Sequence, residues 1–165
     1  MMKETACCFT GHRRLPADQI EIITKRLEEA VESLIAKGVT GFLCGGALGF
    51  DMLAATVVLS AKERGKHVRL ILALPCKDQD AFWNEQQKAQ YRSLLEKVDE
   101  VVYVSEAYYD GCMKKRNLYM IDHCAYCVCA LSHPRSGTGQ TVRMARDNGV
   151  QVINVMSCFT HGNPL

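Results

Sequence analysis

Six short runs rich in apolar and β-branched residues alternate with five longer stretches of helical periodicity, and this alternation restricts the fold more than any other feature. The runs are Thr5–Thr10, Val39–Cys44, His67–Leu74, Glu100–Val104, Tyr126–Leu131 and Val150–Val155. After the first, Pro16 suits an opening helical turn, where its missing N–H costs nothing. Ile20, Ile23, Leu27, Ala30, Val31, Leu34 and Ile35 then follow a 3.6-residue period, and Gly38 makes a natural stop. Further helices are predicted from about Asp51 to Arg64, over Asp80–Lys97, over Cys112–Cys124 and over Thr138–Asn148. Strands joined through such helices pair in parallel by right-handed crossovers. The near-continuous apolar strands LILAL, EVVYV and CVCAL suit a sheet covered on both sides. The expected fold is therefore α/β: a Rossmann-like, open, mainly parallel sheet of about six strands with helices on both faces.

With 165 residues the chain suits one domain, expected over 1–157 with a C-terminal tail at 158–165. A domain of this size buries roughly 70% of its unfolded surface and needs no disulfide or metal to fold. The net charge of +2 is too mild to argue for nucleic acid, so that partner is not expected. No apolar stretch approaches the ~18 residues of a membrane span, and the first residues lack the apolar core of a secretory leader. Nine cysteines form an odd set, mostly inside apolar runs, which fits reduced thiols and a cytoplasmic location. Cys124, Cys127 and Cys129, with His123 nearby, resemble a metal cluster only superficially. A structural zinc needs four ligands in well-spaced pairs, whereas Cys127 and Cys129 share one face of a buried strand as small apolar residues. No metal is expected.

Ligands of open parallel sheets bind beyond the carboxyl ends of the strands, near the switch in strand order. Three loops there stand out: Gly11-His12-Arg13-Arg14, Gly45-Gly46-Ala47-Leu48-Gly49-Phe50-Asp51, and Ser136-Gly137-Thr138-Gly139-Gln140-Thr141. Each leads into a helix whose first N–H groups lack partners and whose dipole favours an anion. Gly45, Gly46, Gly49 and Gly137 would let backbone N–H groups approach a phosphate, and Thr138 and Thr141 would add hydroxyls. Arg13 is placed to pair with the phosphate, while Arg14, Lys114 and Lys115 are expected in solvent. Asp51 is positioned either to meet a ribose hydroxyl or to cap the second helix. His12 either touches phosphate or braces its loop. Arg116 and Asn117 lie together on the fourth helix. Tyr108 and Tyr109 either stack on a base or pack at the rim, and Trp83, placed on the third helix, is read as core.

GHR at 11–13, GGALGFD at 45–51, Pro75, RN at 116–117, Asp122 and SGTGQT at 136–141 together resemble the YpsA/YoqJ-like family of the SLOG superfamily. The resemblance runs from Phe9 to about Val155. It implies a bacterial Rossmann-like protein that binds or senses a nucleotide or nucleotide-derived ligand, such as the ADP-ribose-type ligands of some relatives. On this reading no cofactor is required, the partner is a small nucleotide-like molecule, and a homodimer is allowed because related domains commonly pair. The bound ligand would meet Gly11, His12, Arg13, Gly45, Gly46, Gly49, Asp51, Arg116, Asn117, Ser136, Gly137, Thr138 and Thr141. Two other branches supply rivals. LOG-type phosphoribohydrolases cleave nucleoside 5′-monophosphates, and their PGGxGTxxE motif is matched here at Gly137-Thr138. The glutamate position falls on Thr141, however, and Asn117 replaces the expected Lys, leaving Asp51 and Arg116 as the residues an enzyme would use. The DprA-like branch binds single-stranded DNA. This chain shares its GTxxT form but lacks a basic stripe with interleaved aromatics.

Overall fold

The computed structural model describes residues 1–156. The strands are β1 (Ala6–Gly11), β2 (Gly41–Cys44), β3 (Arg69–Leu74), β4 (Glu100–Tyr103), β5 (Tyr126–Ala130) and β6 (Gln151–Asn154). Between them lie α1 (Ile20–Ala36), α2 (Phe50–Glu63), α3 (Glu85–Lys97), α4 (Cys112–Asp122) and α5 (Gly137–Asp147). All pairings are parallel and the order is β4-β3-β2-β1-β5-β6. The chain builds outward from β1 to β4, then crosses back to place β5 on the other side of β1. The switch in strand order therefore opens a crevice beyond the ends of β1 and β5.

The pleat divides the core in two. Cys7, Phe9, Phe42, Leu70 and Leu72 face one side with Ile23, Leu27, Val31 and Leu34 of α1, buried α2 residues, and Tyr91 and Leu94 of α3. Cys8, Leu43, Ile71 and Cys129 face the other with Met120 and Ile121 of α4 and Val142 and Ala145 of α5. Phe9 stacks on Phe42 at 5.8 Å between centroids and meets the edge of Phe50 at 6.3 Å. The expected α/β, Rossmann-like fold with both faces covered is the observed one.

Gly38, at φ 100°, ends α1 by a paired device: its N–H donates to Ile35 O, and that of Val39 to Leu34 O. An L-residue resists this left-handed geometry. Gly65 and Gly149 end α2 and α5 in the same way.

The third helix differs from expectation. It starts at Glu85, not Asp80, because Asn84 caps it, with reciprocal bonds between Asn84 and Gln87. Residues 77–83 instead turn along the sheet edge, and Trp83 belongs to that loop. Trp83 is half-buried, edge-on to Tyr91 at 5.1 Å, and so only partly in the core. The first helix likewise begins later than Pro16: a 3-10 turn at Ala17–Gln19 precedes it. Ile20 consequently stays 42% exposed despite fitting the helical period. The tail expected at 158–165 lies outside the described residues, as does residue 157.

Cys7, Cys8, Cys44, Cys124, Cys127 and Cys129 are buried free thiols, and burial pushes those of Cys7, Cys44 and Cys129 upward. Among the described residues, no group of three or more His, Cys, Asp or Glu could hold a metal ion. No described helix is long and apolar enough to cross a membrane.

Candidate functional site

A crevice of about 300 Å³ opens at the switch point, with Gly11, His12, Arg13, Asp51, Arg116, Asn117, Ser136, Gly137 and Thr138 in its wall. These residues come from four segments far apart in sequence, and specific bonds hold the segments together. The Phe50 N–H donates to His12 O at 3.1 Å, joining the start of α2 to the loop after β1. His12 Nε2 accepts the N–H groups of Ser132 at 3.0 Å and His133 at 3.4 Å, joining that loop to the one after β5. His12 is thus the loop brace of the two sequence alternatives. Burial, aided by the nearby His133, holds its pKa below the ordinary histidine value. Both effects favour the neutral ring that an accepting Nε2 requires.

Arg116 is 5% exposed and is not a free arm reaching for a sugar-phosphate. Its Nη1 donates to Gly45 O at 2.6 Å and Ala73 O at 3.4 Å, and its Nε to Asn117 Oδ1 at 2.9 Å. It clamps the ends of β2 and β3 to α4 from within the crevice wall. Asp51, equally buried, does not cap α2: the N-cap is Gly49, which offers no side chain. Asp51 Oδ2 instead accepts the Ala47 N–H at 3.2 Å, tightening the loop before the helix. Burial raises its pKa above the ordinary carboxyl value; Arg116, the Ala47 N–H and Arg13 pull the other way without cancelling the rise.

Gly45, Gly46 and Gly49 do not line the crevice; of their loop only Ala47 and Asp51 do. Their smallness serves packing. A Cβ on Gly45 would stand 2.3 Å from Arg116 Nη1, and one on Gly49 2.2 Å from Arg13 O. Gly137 behaves differently, since a Cβ there meets nothing within 4 Å. It is the first residue of α5, whose Ser136 caps the Gly139 N–H at 3.0 Å. The N–H groups of Gly137 and Thr138 have no intrahelical acceptor and head the helix at the crevice. Thr141, expected beside them, is drawn inward. Its hydroxyl donates to Gly137 O at 3.0 Å and accepts from Asn117 Nδ2 at 3.1 Å, as the i−4 spacing within a helix allows.

Arg13 lies exposed at the mouth and makes no hydrogen bond or ion pair with the described residues. Arg14, Lys114 and Lys115 are exposed, as expected. Thr10, Met113 and Met120 also line the crevice and were not anticipated. The Thr10 signal was a lone hydroxyl at the last inward position of β1, indistinguishable in sequence from a strand threonine. A second cavity, of about 830 Å³, adjoins the first through Arg13 and Met113 and is lined by Leu48, Gln79, Phe82, Trp83 and Tyr108 among others.

Comparison with known proteins bears on the whole unit. Residues 8–149 match the family model described as the YspA SLOG family (YpsA). The SPbeta prophage-derived protein YoqJ of Bacillus subtilis is 34% identical over 134 residues, covering 73% of this chain and 78% of that one. A UPF0398 protein of Halalkalibacterium halodurans is 32% identical over 104 residues, covering 62% of this chain and 55% of its own length; the chain thus spans little more than half of that relative. DNA processing protein A from Streptococcus pneumoniae superposes over 91% of this chain and 50% of its own, at TM-score 0.63 and 17% identity. The Helicobacter pylori protein, whose structure concerns single-stranded DNA binding, also scores 0.63, at 18% identity, over 91% of this chain and 64% of its own. At such identities these two likenesses show a shared fold and nothing finer. The extent of the family match and the agreement with YoqJ lead to one conclusion: the chain belongs to the YspA SLOG family.

Proposed function

We propose that the protein binds a nucleotide or nucleotide-derived ligand through its phosphate, at the crevice between β1 and β5, without turning it over. The observation that carries this reading is the convergence of two unsatisfied features on one cavity. The open N-terminus of α5, at Gly137 and Thr138, offers backbone donors and a favourable dipole. Arg13 offers an exposed guanidinium whose field reaches Asp51 but which makes no hydrogen bond or ion pair among the described residues. Ser136 and the Thr138 hydroxyl add donors, and Asp51 stands where a ribose hydroxyl would lie. The family and its nucleotide-related fold are consistent with this assignment.

Calorimetry with AMP and with inorganic phosphate tests it. Arg13→Ala is expected to weaken binding by about 1.5–3 kcal/mol, the scale of a charge-assisted hydrogen bond, and Arg14→Ala to change it little. Equal losses at both positions, or no binding by the wild-type chain, refutes the phosphate site.

A second reading, N-glycosidic hydrolysis of a nucleoside monophosphate, draws support from Asp51. A buried carboxyl with a raised pKa beside an arginine is a pattern of catalytic acids. Base release, taken up below, separates the two readings.

A further inference from the structure

The larger cavity is not explained by phosphate binding. Its walls set three aromatic rings and two amides among Arg13, Asp78 and aliphatic side chains: Trp83 is half-buried, Phe82 is fully exposed and Tyr108 is 63% exposed. A phenylalanine wholly in water beside a cavity has no packing role in this chain. The two rims bearing these rings are tied to each other: the Tyr108 N–H donates to Asp78 Oδ1 at 3.2 Å, and the Lys77 N–H to Glu106 O at 3.2 Å. The rings are therefore held on a braced pair of loops.

Gln79, 9% exposed, forms part of the wall. Its Nε2 is spent on three acceptors, Gly45 O, Gly46 O and Tyr91 Oη, all long at 3.3–3.4 Å. Its Oε1 is buried without a hydrogen-bond partner. The carbonyl acceptors fix which end of the amide carries nitrogen, so the orphan is an acceptor in want of a donor. A donor that reaches this acceptor must draw the amide out of those long contacts.

Because the cavity shares Arg13 and Met113 with the phosphate crevice, one ligand can occupy both. We propose that this second cavity receives the nucleobase of the bound nucleotide, between the rings of Trp83, Phe82 and Tyr108, and that the base is an amino-bearing purine, adenine being the simplest. The aromatic faces supply stacking and Gln79 the acceptor for an exocyclic amine. This rests on the phosphate site proposed above, and the test separates the two.

Trp83 is the single tryptophan of the chain and stands in the wall of this cavity, so its emission reports on that wall. The full chain is titrated with AMP, ribose 5-phosphate and adenosine, following Trp83 fluorescence and binding heat. AMP is expected to quench Trp83 and to bind at least about tenfold more tightly than ribose 5-phosphate, the scale of one base–aromatic stack. Phe82→Ala with Tyr108→Ala, both at exposed positions, should abolish that advantage and spare ribose 5-phosphate binding. Equal affinity for AMP and ribose 5-phosphate with unchanged Trp83 emission overturns the base site and leaves the phosphate site standing. Equal loss of both ligands in the double variant overturns it as well. Quenching by adenosine with no binding of either phosphate ester retains the base site and removes the phosphate site. Silence from all three ligands removes both.

Discussion

Gly45→Ala and Gly137→Ala should have opposite consequences, although both replace a glycine in a Gly-rich loop beside the crevice. Gly45 has no positive φ, so the backbone itself accepts alanine. The cost comes from the added methyl, which would lie 2.3 Å from Arg116 Nη1 and 2.8 Å from Asp51 Oδ2. Arg116 cannot move without stretching its 2.6 Å bond to Gly45 O, and it is buried. Losing one charge-assisted bond costs about 1.5–3 kcal/mol, and overpacking costs about 1–3 kcal/mol. The two overlap, giving about 2–4 kcal/mol. For a domain of this size each kcal/mol lowers Tm by about 2–4 °C, so a drop on the order of 5–15 °C is expected by calorimetric melting. Gly137→Ala meets open space and sits in a helix, where removing glycine stabilises by up to about 1 kcal/mol. Its Tm should hold or rise, while AMP binding is expected to weaken because Gly137 lines the crevice at the helix N-terminus. A Gly45→Ala protein melting within a degree of wild type would refute the Arg116 clamp. Full AMP affinity in Gly137→Ala would refute the placement of phosphate on α5.

His12 should make stability fall on acidification. Its folded pKa lies below the unfolded value, so its contribution is complete above the unfolded pKa of about 6.5 and is lost as pH falls through the folded value. His12→Gln, which keeps an acceptor but does not titrate, should flatten that slope in denaturant melts between pH 7 and 5; an unchanged slope would show that the brace is not the titrating element. Long incubation with AMP should release no adenine above the uncatalysed rate, by chromatography. Steady release proportional to protein and abolished by Asp51→Asn would make the chain a hydrolase.

The strand–helix alternation was legible because each run carries its own periodicity and each α1-type helix ends on glycine. The position of the crevice followed from topology, since a parallel sheet that reverses direction opens beyond its strand ends wherever the reversal falls. Roles inside the crevice were harder to read. Gly45 and Gly137 look alike in sequence, yet one makes room for a guanidinium donated from α4, more than seventy residues away, and the other faces open space. That distinction is a long-range contact and leaves no local trace. The start of α3 was missed because Asp80–Trp83 is compatible with a helix; the capping pair Asn84 and Gln87 was the available signal, a variant of the usual Ser/Thr-x-x-Glu box. With Trp83 assigned to that helix, only Tyr108 of the cavity's aromatic walls is legible in the sequence, as one of two alternatives.

The same contacts argue for holding a ligand over cleaving one. Stabilising an oxocarbenium-like sugar or activating water calls for an ionised carboxylate facing the reacting carbon. At the position where the PGGxGTxxE motif of LOG-type phosphoribohydrolases carries glutamate, this chain has Thr141, whose hydroxyl is committed to Gly137 O and Asn117. Asp51 is the one carboxylate in the crevice wall among the described residues. Its Oδ2 is engaged by the Ala47 N–H, and burial moves it toward the neutral form. A phosphate arriving nearby would add negative charge and push Asp51 further that way. Ligand binding thus opposes the ionisation that a nucleophile or general base requires. Arg116, with Nη1 and Nε committed to Gly45 O, Ala73 O and Asn117 and Nη2 directed at Met113 Sδ, adds a positive field and no mobile proton. The charge that ligand binding can recruit is Arg13 at the mouth and the dipole of α5, both suited to a static anion.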